Sequence, residues 1–136
     1  MFSSKIDLRV RYGETDQMGF VYYGNYALYF EVARVEVFRD LGMSYKAIEE
    51  EGFWLPVRDF HIDYYKPAYY DDLLTIECSV PELPSSRIKF HYKTFREGVC
   101  INEGFTSLVF VDKESGRPGR APSLLLDALA KHFSAD

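Results

Sequence analysis

The chain has 136 residues, enough for one domain that can bury a core without disulfide or metal staples. Hydrophobic residues make up 47%, which is ordinary, but 17% aromatic is high, so its 11 Tyr and 11 Phe need a core or an interface to pack into. A formal charge of −5 argues against a nucleic-acid binder, which would carry a basic stripe. The clustered basic residues, Arg9 with Arg11 on one strand face and Arg117 with Arg120 in one loop, form small patches suited to a phosphorylated small molecule.

No stretch approaches the ~20 apolar residues that a membrane span requires. The first ten residues, MFSSKIDLRV, lack the apolar run of a signal peptide, and a cytoplasmic location is the expectation. Cys78 and Cys100 fall in separate strand patterns with no Cys-x-x-Cys spacing. They are expected as reduced, packed thiols, with no metal site, because zinc needs clustered ligands.

Residues 5–12 alternate cleanly, with Ile6, Leu8, Val10 and Tyr12 on one face and Lys5, Asp7, Arg9 and Arg11 on the other, which predicts a half-buried strand. Residues 13–24 hold three glycines and no sustained period, hence a loop. Asn25 is the expected N-cap of a helix over 26–41, stopped by Gly42. Tyr26, Tyr29, Phe30, Ala33, Val37 and Leu41 carry its apolar stripe, and Leu28, Val32, Val35 and Phe38 widen it. A helix greasy on several sides is expected at the centre of the fold, covered by sheet.

Ser44 caps a predicted short helix over 45–51, ended by Gly52. Strands follow over 54–65, with Pro56 marking an edge or bulge, and over 73–80, 87–96 and 99–111. Glu97-Gly98 supplies a tight turn between the last two. Residues 99–111 are apolar on both parities, which predicts a central strand covered on both faces. Pro122 opens a C-terminal helix in which Leu125, Leu129 and Phe133 repeat every four residues. One strand, a long helix, a short helix and then four strands argue for an α+β chain with an antiparallel sheet packed on the long helix.

Asp16-x-x-Gly19-x-Val21-Tyr22, then Asn25-Tyr26 and the helix segment Phe30-Glu31-x-Ala33-Arg34, resembles the hotdog-fold thioesterases of the 4-hydroxybenzoyl-CoA thioesterase family. It is similar in the same pattern to the Tol-Pal-associated acyl-CoA thioesterases. The segments Ile62-Asp63-Tyr64-x-x-Pro67-Ala68, Tyr70-Asp71-Asp72-x-Leu74 and Ser86-Arg87-Ile88-x-Phe90-x-Tyr92 extend the resemblance from about Arg9 to Val111, and the aspartate loop is its most specific part. The resemblance implies a hotdog fold: a five-stranded antiparallel sheet wrapped around a long central helix, in a single domain over residues 1–136. It further implies a homodimer or homotetramer that hydrolyses a small-molecule acyl-CoA to a carboxylic acid and coenzyme A, with no cofactor beyond the substrate.

The chemistry asks for a base or nucleophile near the thioester carbon and hydrogen-bond donors where charge develops on oxygen. Helix N-termini supply free N–H groups and partial positive charge. By resemblance, Asp16 is the catalytic carboxylate, the backbone amide near Tyr23 is the oxyanion donor and Gly19 lets the loop turn. Position alone leaves open that Asp16 only organises a turn. Glu14 does not match the family position and is expected to be solvated. Glu31 is the second candidate, either touching the acyl group or serving as the carboxylate itself, against a plain ion pair with Arg34.

Tyr22 and Tyr26 either line the acyl pocket or pack as core. Some family members carry His at position 23, which leaves a backbone role there intact but not a side-chain one. Ser86 and Arg87 fall where relatives contact the coenzyme A nucleotide. Two other readings remain: an acyl-carrier-protein thioesterase, against which the net acidity weighs, and a non-catalytic acyl-CoA-binding module. A dehydratase is disfavoured because neither the Asp16 loop nor the start of the long helix holds a histidine.

Overall fold

In the structure, a computed structural model that describes residues 1–133, the elements in chain order are β1 (Phe2–Arg9), a 3-10 turn (Tyr12–Glu14), α1 (Asn25–Asp40), α2 (Tyr45–Glu50), β2 (Phe53–Trp54), β3 (Val57–Tyr64), β4 (Leu73–Val80), β5 (Arg87–Arg96), β6 (Val99–Val109), β7 (Val111–Asp112) and α3 (Ser123–Ala130). Five strands form one antiparallel sheet in the order β1-β4-β5-β6-β3, while β2 and β7 pair separately. The Glu97-Gly98 turn has both φ values positive, 50° and 80°, the backbone that matches strand twist in a two-residue hairpin.

Registers put Ile76, Thr94, Asn102 and Tyr64 in one row across the sheet, and Cys78, Tyr92, Gly104 and Ile62 in the next. That face meets α1. Phe30, with no exposed surface, stacks on Tyr92 at 4.2 Å between centroids, and Phe38 meets Phe90 edge-on at 5.9 Å. Tyr26, Tyr29, Ala33 and Val37 complete the buried stripe of the helix.

Several expectations are corrected. The first strand lies three residues earlier than its alternation suggested. After Val10 pairs with Asp72 and Asp71, the chain leaves the sheet for the 3-10 turn, and Tyr12 is 78% exposed against Tyr70. The predicted strand over 54–65 divides at Leu55-Pro56 into β2 and β3, with a register shift between Val57 and Asp59, as a proline that cannot donate demands. The last strand likewise divides into β6 and β7. Although β6 lies between β5 and β3, its outer face is only half covered: Phe105 lies there between His61 and His91, with the Lys89 ammonium over its ring. Nor is α1 covered all round, since Leu28 and Val32 are 57% and 51% exposed.

Arg34, offered by the sequence as an ion-pair partner for Glu31, is instead buried. Its Nη1 donates to the Tyr92 hydroxyl, which is 2.6 Å from Thr106 Oγ1, while its Nε has no partner among the described residues. Ser44 caps α2 as expected, its Oγ accepting from Ala47 N at 3.1 Å. Cys78 and Cys100 are free thiols. Among the described residues, no helix is long and apolar enough to cross a membrane.

Because Phe30 sits where helix and sheet meet, Phe30→Ala is expected to cost about 3–5 kcal/mol in chemical denaturation, the range for emptying a buried aromatic site. A loss under about 1 kcal/mol would contradict the helix-on-sheet core described here.

Candidate active site

The loop that enters α1 is built as a set of short closures. Asp16 N donates to Phe20 O at 3.0 Å, and Gly19 N donates back to Asp16 O at 3.0 Å. Gly19 has φ of +89°, a backbone that side-chain-bearing residues rarely adopt and that glycine takes without strain. Val21 N then donates to Ala68 O, fastening the loop to the segment that precedes β4.

This turn holds Asp16 half-buried, with Oδ1 accepting from Met18 N at 2.8 Å. Among the described residues, Oδ2 has no hydrogen bond. Thus one oxygen organises the turn and the other remains available.

At the start of α1, Asn25 is the first helical residue, not the cap. Gly24 takes the cap position without a side-chain hydrogen bond, and Asn25 Nδ2 donates instead to Glu14 O at 2.8 Å. A Cβ on Gly24 would stand 2.8 Å from the Tyr22 ring, which explains a residue without a side chain at this cap. Asn25 N and Tyr26 N turn back onto Tyr22 O and Tyr23 O. Among the described residues, the Tyr23 and Gly24 N–H groups have no acceptor, as the geometry of a helix N-terminus leaves them.

Asp16 and Tyr23 line one open cavity of about 440 Å³, together with Met18, Phe20, Val21, Tyr26, Tyr64, Tyr65, Lys66 and Pro67. Its wall is aromatic, and Asp16 and Lys66 are the charged groups in it. A mostly apolar cleft of this size with few polar groups suits a small-molecule site. The Tyr26 hydroxyl is pushed up to about 12, chiefly by burial, and so stays a neutral phenol at any working pH.

The other sequence candidates separate. Tyr22, 47% exposed, packs its ring on Tyr23 at 4.7 Å but does not line the cavity. Glu31 is exposed on the helix surface, does not line this cavity and forms no ion pair with Arg34 among the described residues. Ser86 and Arg87 line a different, polar depression of about 500 Å³ with Asp59, Glu82 and Lys89. Arg9 and Arg11, expected as a patch for a phosphorylated ligand, are already engaged, by Asp71 and Glu14 respectively. Burial pushes the Cys78 thiol up, leaving it inert as a nucleophile.

What sequence reasoning missed is Glu14. It is not solvated: its side chain is 11% exposed and accepts from Arg11 N, Arg11 Nε, Arg11 Nη2 and the Tyr29 hydroxyl, at 2.8 to 3.1 Å. Its carbonyl accepts from Tyr22 N and Asn25 Nδ2. The three-residue spacing gives only half of a capping box: Glu14 reaches back to Arg11 N, while the Arg11 side chain has no acceptor to return the bond, so the sequence carries no recognised signature here. The bond from Tyr29, fifteen residues on, has no local signature.

A five-stranded antiparallel sheet wrapped on one long helix, with a carboxylate loop at the helix N-terminus, defines the hotdog class of proteins. Residues 10–129 match the model of the thioesterase-like superfamily, and the chain belongs to that family. It is 35% identical to the provisionally named acyl-CoA thioesterase YneP of Bacillus subtilis, over 87% of this chain and 86% of the relative. It is 30% identical to the acyl-CoA thioester hydrolase YbgC of Escherichia coli, over 88% and 90%. Among solved structures, a DHNA-CoA thioesterase from Staphylococcus aureus superposes with a TM-score of 0.85 at 31% identity, covering 100% of this chain and 98% of that one.

Burial alone would raise the Glu14 carboxyl, but hydrogen bonds from the Arg11 side chain and backbone and from Tyr29, with the Arg11 charge, outweigh it and hold the group below its ordinary 4.5. A depressed folded-state value means that the unfolded chain binds the proton more readily. Glu14 therefore stabilises the fold above pH 4.5, and that stabilisation disappears as pH falls through the lowered value. In urea denaturation, the stability gap between wild type and Glu14→Gln is expected to be constant near neutrality and to narrow below pH 4.5. A gap that widens with acid would contradict the assignment.

Proposed function

We propose that this thioester hydrolase cleaves acyl-CoA to a carboxylic acid and free coenzyme A, with Asp16 as the reacting carboxylate and the Tyr23 amide as the oxyanion donor. The observation that carries the reading is that Asp16 and Tyr23 line the same aromatic cavity. In the general-base form, Asp16 takes a proton from water as the water oxygen adds to the thioester carbon. The carbonyl electron pair moves to oxygen, where the Tyr23 N–H meets it. The tetrahedral intermediate then collapses, the C–S bond breaks, and the departing thiolate collects a proton. In the nucleophilic form, Asp16 itself adds to the carbon, and the C–S bond breaks as coenzyme A leaves as a thiolate that collects a proton. Water then cleaves the resulting anhydride to the carboxylic acid and the free Asp16 carboxylate. Both forms need one carboxylate oxygen free, which Oδ2 supplies.

Gly19 serves the turn, Tyr26 walls the acyl group, and Ser86 with Arg87 is proposed to take the nucleotide end of coenzyme A. The reaction requires no further cofactor. Two free cysteines suit a reducing compartment, in keeping with a cytoplasmic site of action.

A homodimer or homotetramer is part of the same proposal. The β3 edge is open, and Val57, Phe60 and Tyr64 along it are 48%, 43% and 46% exposed, a row of apolar groups that a second copy would cover. Sedimentation is expected to give no stable monomer at micromolar concentration.

The decisive assay compares wild type and Asp16→Asn on a panel of alkyl- and aroyl-CoA thioesters and one acyl-carrier-protein thioester. Loss of roughly 100-fold or more in kcat is expected for the variant, the scale on which a positioned proton-transfer group acts. A wild type that turns over none of the panel, or a variant with full activity, would overturn the reading.

A further inference from the structure

Resting on the reading that Asp16 and the Tyr23 amide are the reacting pair, we propose that Glu14 is a positioning residue that sets the separation of the two. Asp16 lies two residues after Glu14 in the chain, at the near end of the loop. Tyr22 and Asn25, which bracket Tyr23 and Gly24, are both tied to the Glu14 carbonyl, by Tyr22 N at 3.0 Å and Asn25 Nδ2 at 2.8 Å. The Glu14 carboxylate fixes that same residue from two further sides, through Arg11 before the loop and Tyr29 on α1. One residue thus holds the carboxylate loop and the open amides in a common frame, although no atom of Glu14 lines the cavity.

The site specifies an ionised carboxylate. Oε1 accepts from Arg11 N and Tyr29 Oη, and Oε2 accepts from Arg11 Nε and Nη2. All four partners donate, and a carboxylate is the side-chain group that accepts through both of its oxygens. Glutamine, though the same shape, would place an NH2 group against two donors. Tyr29, whose ionisation is opposed first by burial and then by the bond to Glu14, remains a neutral donor.

The expected signature is kinetic. A small misplacement of reacting groups lowers the chemical step far more than ground-state binding, on the order of 100-fold for about 1 Å. Glu14→Gln is expected to lower kcat about 10- to 100-fold with KM within about twofold. Tyr29→Phe, which removes one hydrogen bond and leaves the ring in place, is expected to lower kcat several-fold, and the double variant to fall short of the product of the two losses.

These measurements are made on folded protein well below its melting temperature, with circular dichroism and sedimentation matching wild type. A purely structural role would lower the melting temperature and leave kcat of the folded enzyme unchanged. Unchanged kcat in Tyr29→Phe overturns the proposal if Glu14→Gln is also unchanged or fails to fold. A loss confined to KM overturns it as well. Asp16→Asn is run alongside: its full activity would overturn the assignment of the reacting pair, whereas an inactive Asp16→Asn beside fully active Glu14→Gln overturns only the positioning role.

Discussion

The stack of Phe30 on Tyr92, with ring planes within 4°, marks the line along which α1 sinks into the sheet. A helix in that position must present apolar side chains along one stripe, and the facing strands must offer apolar residues at every second position. Phe30 meets Tyr92 and Phe38 meets Phe90 on those terms, and Tyr26, Val37 and Ile88 are buried in the same core. The burial closes off the sheet-facing side of the helix, and the cavity lies at its N-terminal end, beside Tyr23 and Tyr26.

That end combines two electrostatic needs. The amides of Tyr23 and Gly24 have no acceptor among the described residues, and free N–H groups with partial positive charge favour negative charge nearby. The loop delivers a carboxylate, Asp16, to the same cavity. A second carboxylate two residues earlier is kept out of it, neutralised by Arg11 and held by Tyr29. Two acidic residues in one short loop therefore divide between framework and cavity, and their hydrogen-bond partners, more than their type, make the division.

Polar groups within the core follow a stricter rule. Arg34, 8% exposed, lies on the buried side of α1, donating to the Tyr92 hydroxyl, which in turn pairs with Thr106, and among the described residues no carboxylate is bound to it. Such a charge is costly to bury, and burial of its long aliphatic stem offsets only part of that cost. Asn102 and Thr94, paired across β5 and β6, are buried, with Thr94 Oγ1 unpartnered among the described residues and the Asn102 side chain set against the Tyr26 hydroxyl. The polar part of the core is thus concentrated on the sheet face that meets the helix.

Local pattern was enough to reveal that the strands, the long helix, the cap at Ser44 and the turn at Glu97-Gly98 exist, though not every boundary, because each is encoded by residues a few positions apart. The resemblance carried by Asp16, Gly19, Asn25 and the Phe30-to-Arg34 segment added the family. Sequence could not decide which polar residues sit inside. Arg34 and Glu31 are three apart on one helix, yet only the position of Tyr92 on β5 draws one in and leaves the other in water. It could not divide Glu14 from Asp16 either, since the bond to Tyr29 exists only once α1 has docked beside the loop. Local pattern, then, determined the elements and the family of this protein. The tertiary structure decided the partners of its charged groups, because burial and long-range hydrogen bonds form only when distant segments meet.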